Sequence, residues 1–171
     1  TNGSVTIEGS FATYTPNQDF NGSDSFIFSV SDGELSATAQ VTLSIEAVND
    51  APVLAAVSDV SFDEDESGST ILSGSDVDGD ALEYAVSGGS SITASLDVDT
   101  VTFTAPADYN GSEQFTVTVT DGEYIASQVI TVVVNAVNDP PVLTSIGDRV
   151  IDEDDVLSIL LSASDIEGDQ L

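Results

Sequence analysis

The sequence contains no cysteine and no histidine, and its only basic side chain, Arg149, faces 31 aspartates and glutamates. Each absence removes a class of function. Without cysteine no disulfide can staple the fold and no thiolate can hold zinc. Without histidine the usual ligand of zinc, copper and iron is gone, which leaves oxygen donors, the ligand set of Ca2+ and Mg2+. A formal net charge of −30 cannot neutralise phosphates, so nucleic acid is excluded as a partner, and an anionic membrane surface would repel the chain. No apolar run approaches the roughly 20 residues of a membrane-spanning helix, so no membrane insertion is expected in this segment. No charged and apolar leader opens it either, which places any signal or anchor outside these residues. An activated nucleophile–base pair of the usual kinds is missing too. A glycosidase-type pair of carboxylates would need a deep cleft, which small β-sandwiches rarely have, so no enzyme is expected.

Hydrophobic residues make up 40% of the chain, enough for a buried core. Carboxylates at this density repel one another and oppose compaction. High ionic strength or bound cations must offset that.

The sequence repeats itself at an offset of 89 residues. Val48-Asn49-Asp50-Ala51-Pro52-Val53-Leu54 returns as Val137-Asn138-Asp139-Pro140-Pro141-Val142-Leu143. The same offset carries Phe20-Asn21-Gly22-Ser23 onto Tyr109-Asn110-Gly111-Ser112, Asp32-Gly33-Glu34 onto Asp121-Gly122-Glu123, and Asp63-Glu64-Asp65 onto Asp152-Glu153-Asp154. Residues 75–80 recur as 164–169, and no gap is needed; 32 of the 82 comparable positions, 1–82 against 90–171, are identical.

Each repeat reads as β. Phe115 to Thr120 alternates with period two, as do Phe26 to Val30 and Val41 to Ile45, the signature of half-buried strands. Further strands are predicted over 53–57, 69–74, 81–87, 91–97 and 100–104, separated by Gly, Asn, Asp and Ser turns. Seven short strands per repeat predict an all-β chain of tandem immunoglobulin-like or cadherin-like seven-stranded sandwiches. With the boundary after Asp50, residues 51–139 form one complete repeat. Residues 1–50 are then the C-terminal part of a preceding repeat, and 140–171 the N-terminal part of a following one. The two flanks together lack only the equivalents of 83–89. Either the chain is part of a longer array, or neighbouring molecules complete the flanks by exchanging strands.

With strands lettered A to G, successive reversals put the A–B, C–D and E–F connections at one end and B–C, D–E and F–G at the other. Asp63, Glu64, Asp65 and Glu66 fall in A–B, and Asp108 and Glu113 flank E–F. The exit segment Asn138-Asp139 leaves from that end. Asp76, Asp78 and Asp80 fall in B–C, and Asp121 and Glu123 in F–G, at the opposite end. Head-to-tail stacking therefore sets acid against acid. Ca2+, which takes about 6–8 oxygens at about 2.3–2.6 Å, would turn such a junction into a clamp. Asp-x-Asp-Gly-Asp also suits a plain solvated turn, but it fits no EF-hand, since its Gly comes fourth and its twelfth residue is Ser87.

Ala47-Val48-Asn49-Asp50-Ala51-Pro52 resembles the cadherin inter-repeat linker D-x-N-D-N-A-P. Asp76-Val77-Asp78 is similar to the cadherin D-x-D, Glu64 to its A–B glutamate, and Asp121-Gly122 to its F–G aspartate. Tyr14 to Phe26 is similar to the Y-x-P-x-x-x-F-N-G-x-D-x-F pattern of cadherin-like repeats in large bacterial surface and secreted adhesins. The resemblance implies a rod of repeats, Ca2+ at the junctions and a role in adhesion or matrix assembly. Ala47 and Ala136 stand where that linker has its first Asp, and its final Asn is missing, which implies one or two ions per junction. The ligands implied near residue 50 are Asp24, Asn49, Asp50, Asp76, Asp78 and Asp121. Near residue 139 they are Glu64, Glu113, Asn138, Asp139, Asp165 and Glu167. Asp19 and Asp108 are alternatives to Asp24 and Glu113.

The three Asn-Gly-Ser triplets at 2–4, 21–23 and 110–112 match a glycosylation acceptor but are better read as tight turns. Tyr14, Phe26, Phe103 and Phe115 are expected in the core, with Tyr124 exposed. The leading expectation is a Ca2+-rigidified extracellular or cell-surface stalk, partnered by neighbouring repeats of the same array. The alternative is a carbohydrate-binding or homophilic sandwich module. That alternative needs an exposed aromatic or apolar sheet face, whereas the outward positions of the strand at 115–120 are Thr.

Overall fold

A computed structural model describes residues 2–170. The chain forms β1 (Gly3–Glu8), β2 (Phe11–Pro16), β3 (Gly22–Ser31), β4 (Ser36–Ile45), β5 (Val53–Leu54), β6 (Val60–Asp63), β7 (Ser67–Ile71) and β8 (Gly74–Ser75). It continues with β9 (Glu83–Gly88), β10 (Thr93–Asp97), β11 (Thr100–Thr104), β12 (Gly111–Thr120), β13 (Ile125–Asn135), β14 (Val142–Leu143) and β15 (Ala163–Ser164). The described residues contain no helix.

The 89-residue offset holds in strand register as well as in sequence. Ser4 faces Thr15 in the β1–β2 pair, as Thr93 faces Thr104 in β10–β11. The Ala55 amide donates to the Ser73 carbonyl and the Thr144 amide to the Ser162 carbonyl, both at 2.8 Å.

Two compact units emerge, Thr1–Val53 with Gly74–Glu83 and Val119–Ala126, and Leu54–Ser73 with Tyr84–Thr118 and Ser127–Leu171. The second unit carries the core. Its strands belong to a three-stranded sheet ordered β10-β11-β7 and a four-stranded sheet ordered β6-β13-β12-β9. This is the immunoglobulin-like sandwich that the strand count predicts. Period-two alternation explains which side chains meet between the sheets. Phe115 and Val117 on β12, and Ile130, Val132 and Val134 on β13, are at most 2% exposed. They pack with Val101 and Phe103 of β11, Leu72 and Ile92, while Thr116 and Thr118 remain half-exposed. The Phe103 and Phe115 rings meet edge to face at 5.0 Å, a favourable aromatic geometry.

The first strand of the repeat differs from the single span 53–57. It breaks after Leu54 and resumes as β6, which runs parallel to β13 with Val60 opposite Val132. Val60 and Phe62 point inward, 8% and 7% exposed, so Val60-Ser61-Phe62-Asp63 carries the strand alternation in only four residues. Side chains hold the crossing in place. The Gln128 amide pairs with both the N–H and the C=O of Val57, in the manner of a strand neighbour. Asp59 accepts from the Thr131 amide at 2.7 Å.

The first unit contains the hairpin β1–β2 and the longer hairpin β3–β4. The Tyr14 and Phe26 rings stack at 6.3 Å. Both are half-buried, whereas Phe103 and Phe115 are enclosed. Tyr124 is 43% exposed.

Candidate metal centre

Both linkers carry Asn-Asp, and in each the main chain is already tied to acidic turns. Near residue 50, the Asp50 amide donates to Asp78 Oδ2 at 2.8 Å and Asn49 Nδ2 donates to Asp121 Oδ2 at 3.0 Å. The Asp78 amide closes an Asx-turn on Asp76 Oδ1 at 2.8 Å, and Gly79 at φ +81° lets the chain reverse behind it. As a result, carboxylate oxygens of Asp76, Asp78 and Asp80 lie within 4.8 Å of one another. Asp76 Oδ2 is buried and has no hydrogen-bond partner. An unsatisfied buried carboxylate oxygen is costly, and a cation would meet the need.

Asp121 shows the opposite balance. Lost hydration pushes its carboxyl up, but the amides of Tyr124 and Glu123 and the side chain of Asn49 outweigh that and hold it below the usual range. Lost hydration and then the carboxylates of Asp19, Asp78 and Asp76 hold Asp50 above the usual range. Of Asp19 and Asp24, Asp19 is therefore the one facing the linker.

Asp24 is occupied elsewhere. It accepts from the Tyr14 hydroxyl at 2.7 Å, the Asn2 amide at 2.7 Å and the Ser25 amide at 2.8 Å. These three bonds, in that order, hold its carboxyl below the usual range. Glu113, its equivalent one repeat later, does the same work. It takes the amides of Ser90, Ser91 and Ile92 at 2.7–3.1 Å and the Ser90 hydroxyl at 2.7 Å. The amides of Ser90 and Ser91 lead in lowering it to about 2. Both residues anchor a loop. Parity along the strand carried this signal: positions 24 and 113 share the inward phase of Phe26 and Phe115, so these carboxylates had to find internal donors.

Near residue 139 the set is denser. Glu64 is 4% exposed and accepts from the Val137 amide, while its own amide donates to the Asn135 carbonyl at 2.9 Å. Oxygens of Glu64, Asp139 and Glu167 form one group within 4.8 Å, and those of Asp65, Asp108 and Asp139 form a second. Asp139 belongs to both. Its amide donates to Glu167 at 3.4 Å, repeating the Asp50–Asp78 bond at the 89-residue offset. Asp65 and Asp108 both sit in the left-handed region, at φ +64° and +57°, which short acidic side chains tolerate. Lost hydration, then Asp139, Asp65 and Glu64, raise Asp108. Asn138 Nδ2 donates to the Asp139 carbonyl at 3.1 Å, and Asp165 accepts from the Asp169 amide at 3.0 Å. Asp165 stays outside both groups. Asp65 and Asp80, members of these groups, sit in the acidic runs flagged by sequence but outside the expected ligand sets.

The donors are all oxygens, and ligands on opposite sides of Ca2+ stand about 4.6–5.2 Å apart, twice the metal–oxygen distance. Groups spanning up to 4.8 Å fit that ion.

No curated protein matches the chain. Among solved structures, human protocadherin-24 EC1-2 is similar at 23% identity and a TM-score of 0.46, over 69% of this chain and 62% of that one. Domains 4–9 of the surface layer protein SbsC align at 19% identity and a TM-score of 0.39, over 92% and 26%. An endo-fucoidan hydrolase of glycoside hydrolase family 107 aligns at 23% identity and a TM-score of 0.40, over 80% and 23%. The chain thus spans less than two thirds of each, and at these TM-scores none bears on what it does. The model of the bacterial Ig domain family matches residues 1–44 and 49–134, and the chain belongs to that family.

Proposed function

We propose that this chain is a structural or adhesive segment of an extracellular repeat array, in which Ca2+ held at the inter-repeat linkers converts a self-repelling string into a stiff rod. The repeat unit on this reading is 51–139, flanked by parts of its neighbours at 1–50 and 140–171. One observation carries the proposal: Asp139, the last residue of the linker motif, belongs to two groups of three carboxylates at once. Two adjacent ions bridged by one carboxylate would explain why five acids gather where none is neutralised by a basic side chain. The residues that would hold Ca2+ are Glu64, Asp65, Asp108, Asp139 and Glu167 at one linker, and Asp19, Asp50, Asp76, Asp78 and Asp80 at the other, with Asn49 and Asp121 positioning the chain. Bound Ca2+ supplies charge neutralisation and a rigid coordination shell.

A secreted or surface location with abundant Ca2+ follows from this reading, as do neighbouring repeats as partners. Calorimetry with scattering tests it. Added Ca2+ should raise the melting temperature and lengthen and narrow the particle, and EDTA should reverse both. Insensitivity of both measurements to Ca2+ and EDTA refutes the proposal.

A further inference from the structure

The two linkers part company at the residue after the aspartate. Asp50 is followed by Ala51 and Asp139 by Pro140, and Asp139–Pro140 is the only Asp-Pro bond in the sequence. They also differ in where the preceding asparagine sends its side-chain amide. Asn49 Nδ2 donates to the Asp121 carboxylate at 3.0 Å, whereas Asn138 Nδ2 donates to the main-chain carbonyl of Asp139 at 3.1 Å. That carbonyl belongs to the peptide bond with Pro140. The Asp139 carboxylate, for its part, shares one group with Glu64 and Glu167 and another with Asp65 and Asp108, each within 4.8 Å. The single basic side chain, Arg149, is bonded elsewhere, to the Asp148 carbonyl.

We propose that Asp139–Pro140 is a self-cleavage site, at which the fold promotes hydrolysis of its own backbone between one repeat and the next. A carboxylate oxygen of Asp139 attacks the carbonyl carbon of the same residue and closes a cyclic anhydride through Cγ, Cβ and Cα, a covalent intermediate of the kind carboxylate nucleophiles form. The carbonyl π electrons move onto its oxygen. As the carbonyl re-forms, the C–N bond breaks and its electron pair leaves on the Pro140 nitrogen, which takes a proton from solvent. Water then opens the anhydride, which restores the Asp139 side chain and leaves a free α-carboxylate on residue 139. One water is consumed, one peptide bond is lost, and no other reactant is needed.

Each observed feature lowers the barrier to one of these steps. Nucleophile and carbonyl sit in one residue, so the attack is intramolecular. Asn138 places a donor on the oxygen where negative charge develops, the arrangement that stabilises acyl-transfer intermediates. The attack also moves charge off the Asp139 carboxylate, away from its four acidic neighbours and onto the oxygen that Asn138 holds, which relieves their repulsion. Proline supplies a tertiary amide nitrogen with no N–H, more basic than that of a secondary amide and easier to expel. Asp50–Ala51 lacks both the proline and the asparagine donor, and so serves as an internal control. Ca2+ on Asp139 would engage the attacking oxygen and cancel the repulsion, so the bond would break when the ion is absent. This last part rests on the Ca2+ reading; the cleavage does not.

The test incubates the full chain in EDTA at one fixed pH and follows its intact mass over days. Fragments 1–139 and 140–171 should accumulate, with no cut after Asp50, and faster in the folded chain than in the same chain unfolded in urea. Pro140→Ala, which reproduces the linker at residue 50, should stop the cut. Asn138→Ala should slow it by about tenfold, less than the roughly hundredfold or more of a buried oxyanion donor because this one is exposed. No cleavage at 139–140, an equal rate in urea, or a rate untouched by Asn138→Ala overturns the proposal. Saturating Ca2+ should suppress the reaction. Cleavage at the same rate with and without Ca2+ leaves the site standing and removes only its link to the ion, whereas an intact chain whose melting still responds to Ca2+ sinks the cleavage and leaves the rod.

Discussion

Replacing Asp139 by Asn removes one charge and one oxygen ligand while keeping the side chain's shape and the hydrogen bond that the main-chain N–H of residue 139 donates to Glu167. Its effect should change sign with Ca2+. Without the ion, Asp139 stands among Glu64, Asp65, Asp108 and Glu167, so D139N relieves repulsion and the melting temperature rises or stays put. With the ion, the substitution weakens both groups. If each site loses a factor of ten in affinity, each loses about 1.4 kcal/mol of a linked stabilisation that reaches about 2.7 kcal/mol at a hundredfold excess over Kd. The two losses sum to about 3 kcal/mol, or on the order of 10–20 °C for a domain of this size. Differential scanning calorimetry in EDTA and in saturating Ca2+ measures both arms. An equal fall of melting temperature in the two buffers would mean that Asp139 serves packing alone, and the shared-ligand argument would be refuted.

Three further outcomes are expected. Asp50 and Asp108 are raised above the ordinary carboxylate value of 3.8. Their contribution is therefore fully present below that value and is lost as pH rises through the raised folded value, so in EDTA D108N should raise the neutral-pH melting temperature and flatten its decline with pH. Glu113 runs the other way, because its folded value of about 2 lies below the ordinary 4.5. Its contribution is present above 4.5 and lost as pH falls towards 2; E113Q should lower the melting temperature at neutral pH equally with and without Ca2+, and a Ca2+-selective loss would contradict its loop-anchoring role. Gly68→Ala would place a methyl 2.5 Å from Phe62 Cδ1, an overpacking that costs about 1–3 kcal/mol and reads out as a lower midpoint in urea; an unchanged midpoint would show that β6 yields freely.

The repeat length, the sandwich class and most strands were legible because they rest on local pattern. Alternation at Phe115 to Thr120 and at Val41 to Ile45 is visible without any contact, and identity at a constant offset survives without structure. Two things needed tertiary packing. The break between Leu54 and Val60 depends on Gln128 and Asp59 pairing with segments about 70 residues away, and four alternating residues are too few to announce β6. The division of labour among acids was equally hidden. Asp24 and Glu113 look like linker ligands by motif, yet they are inward-facing and occupied by main-chain donors, while Asp19 and Asp108 reach the linkers from left-handed turns. Composition alone determined that any metal must be held by oxygen, because no softer donor exists in the chain. Which oxygens come within reach of one another was decided only by folding, since a cluster joining Glu64, Asp139 and Glu167 spans more than a hundred residues of sequence and closes only when the strands between them have packed.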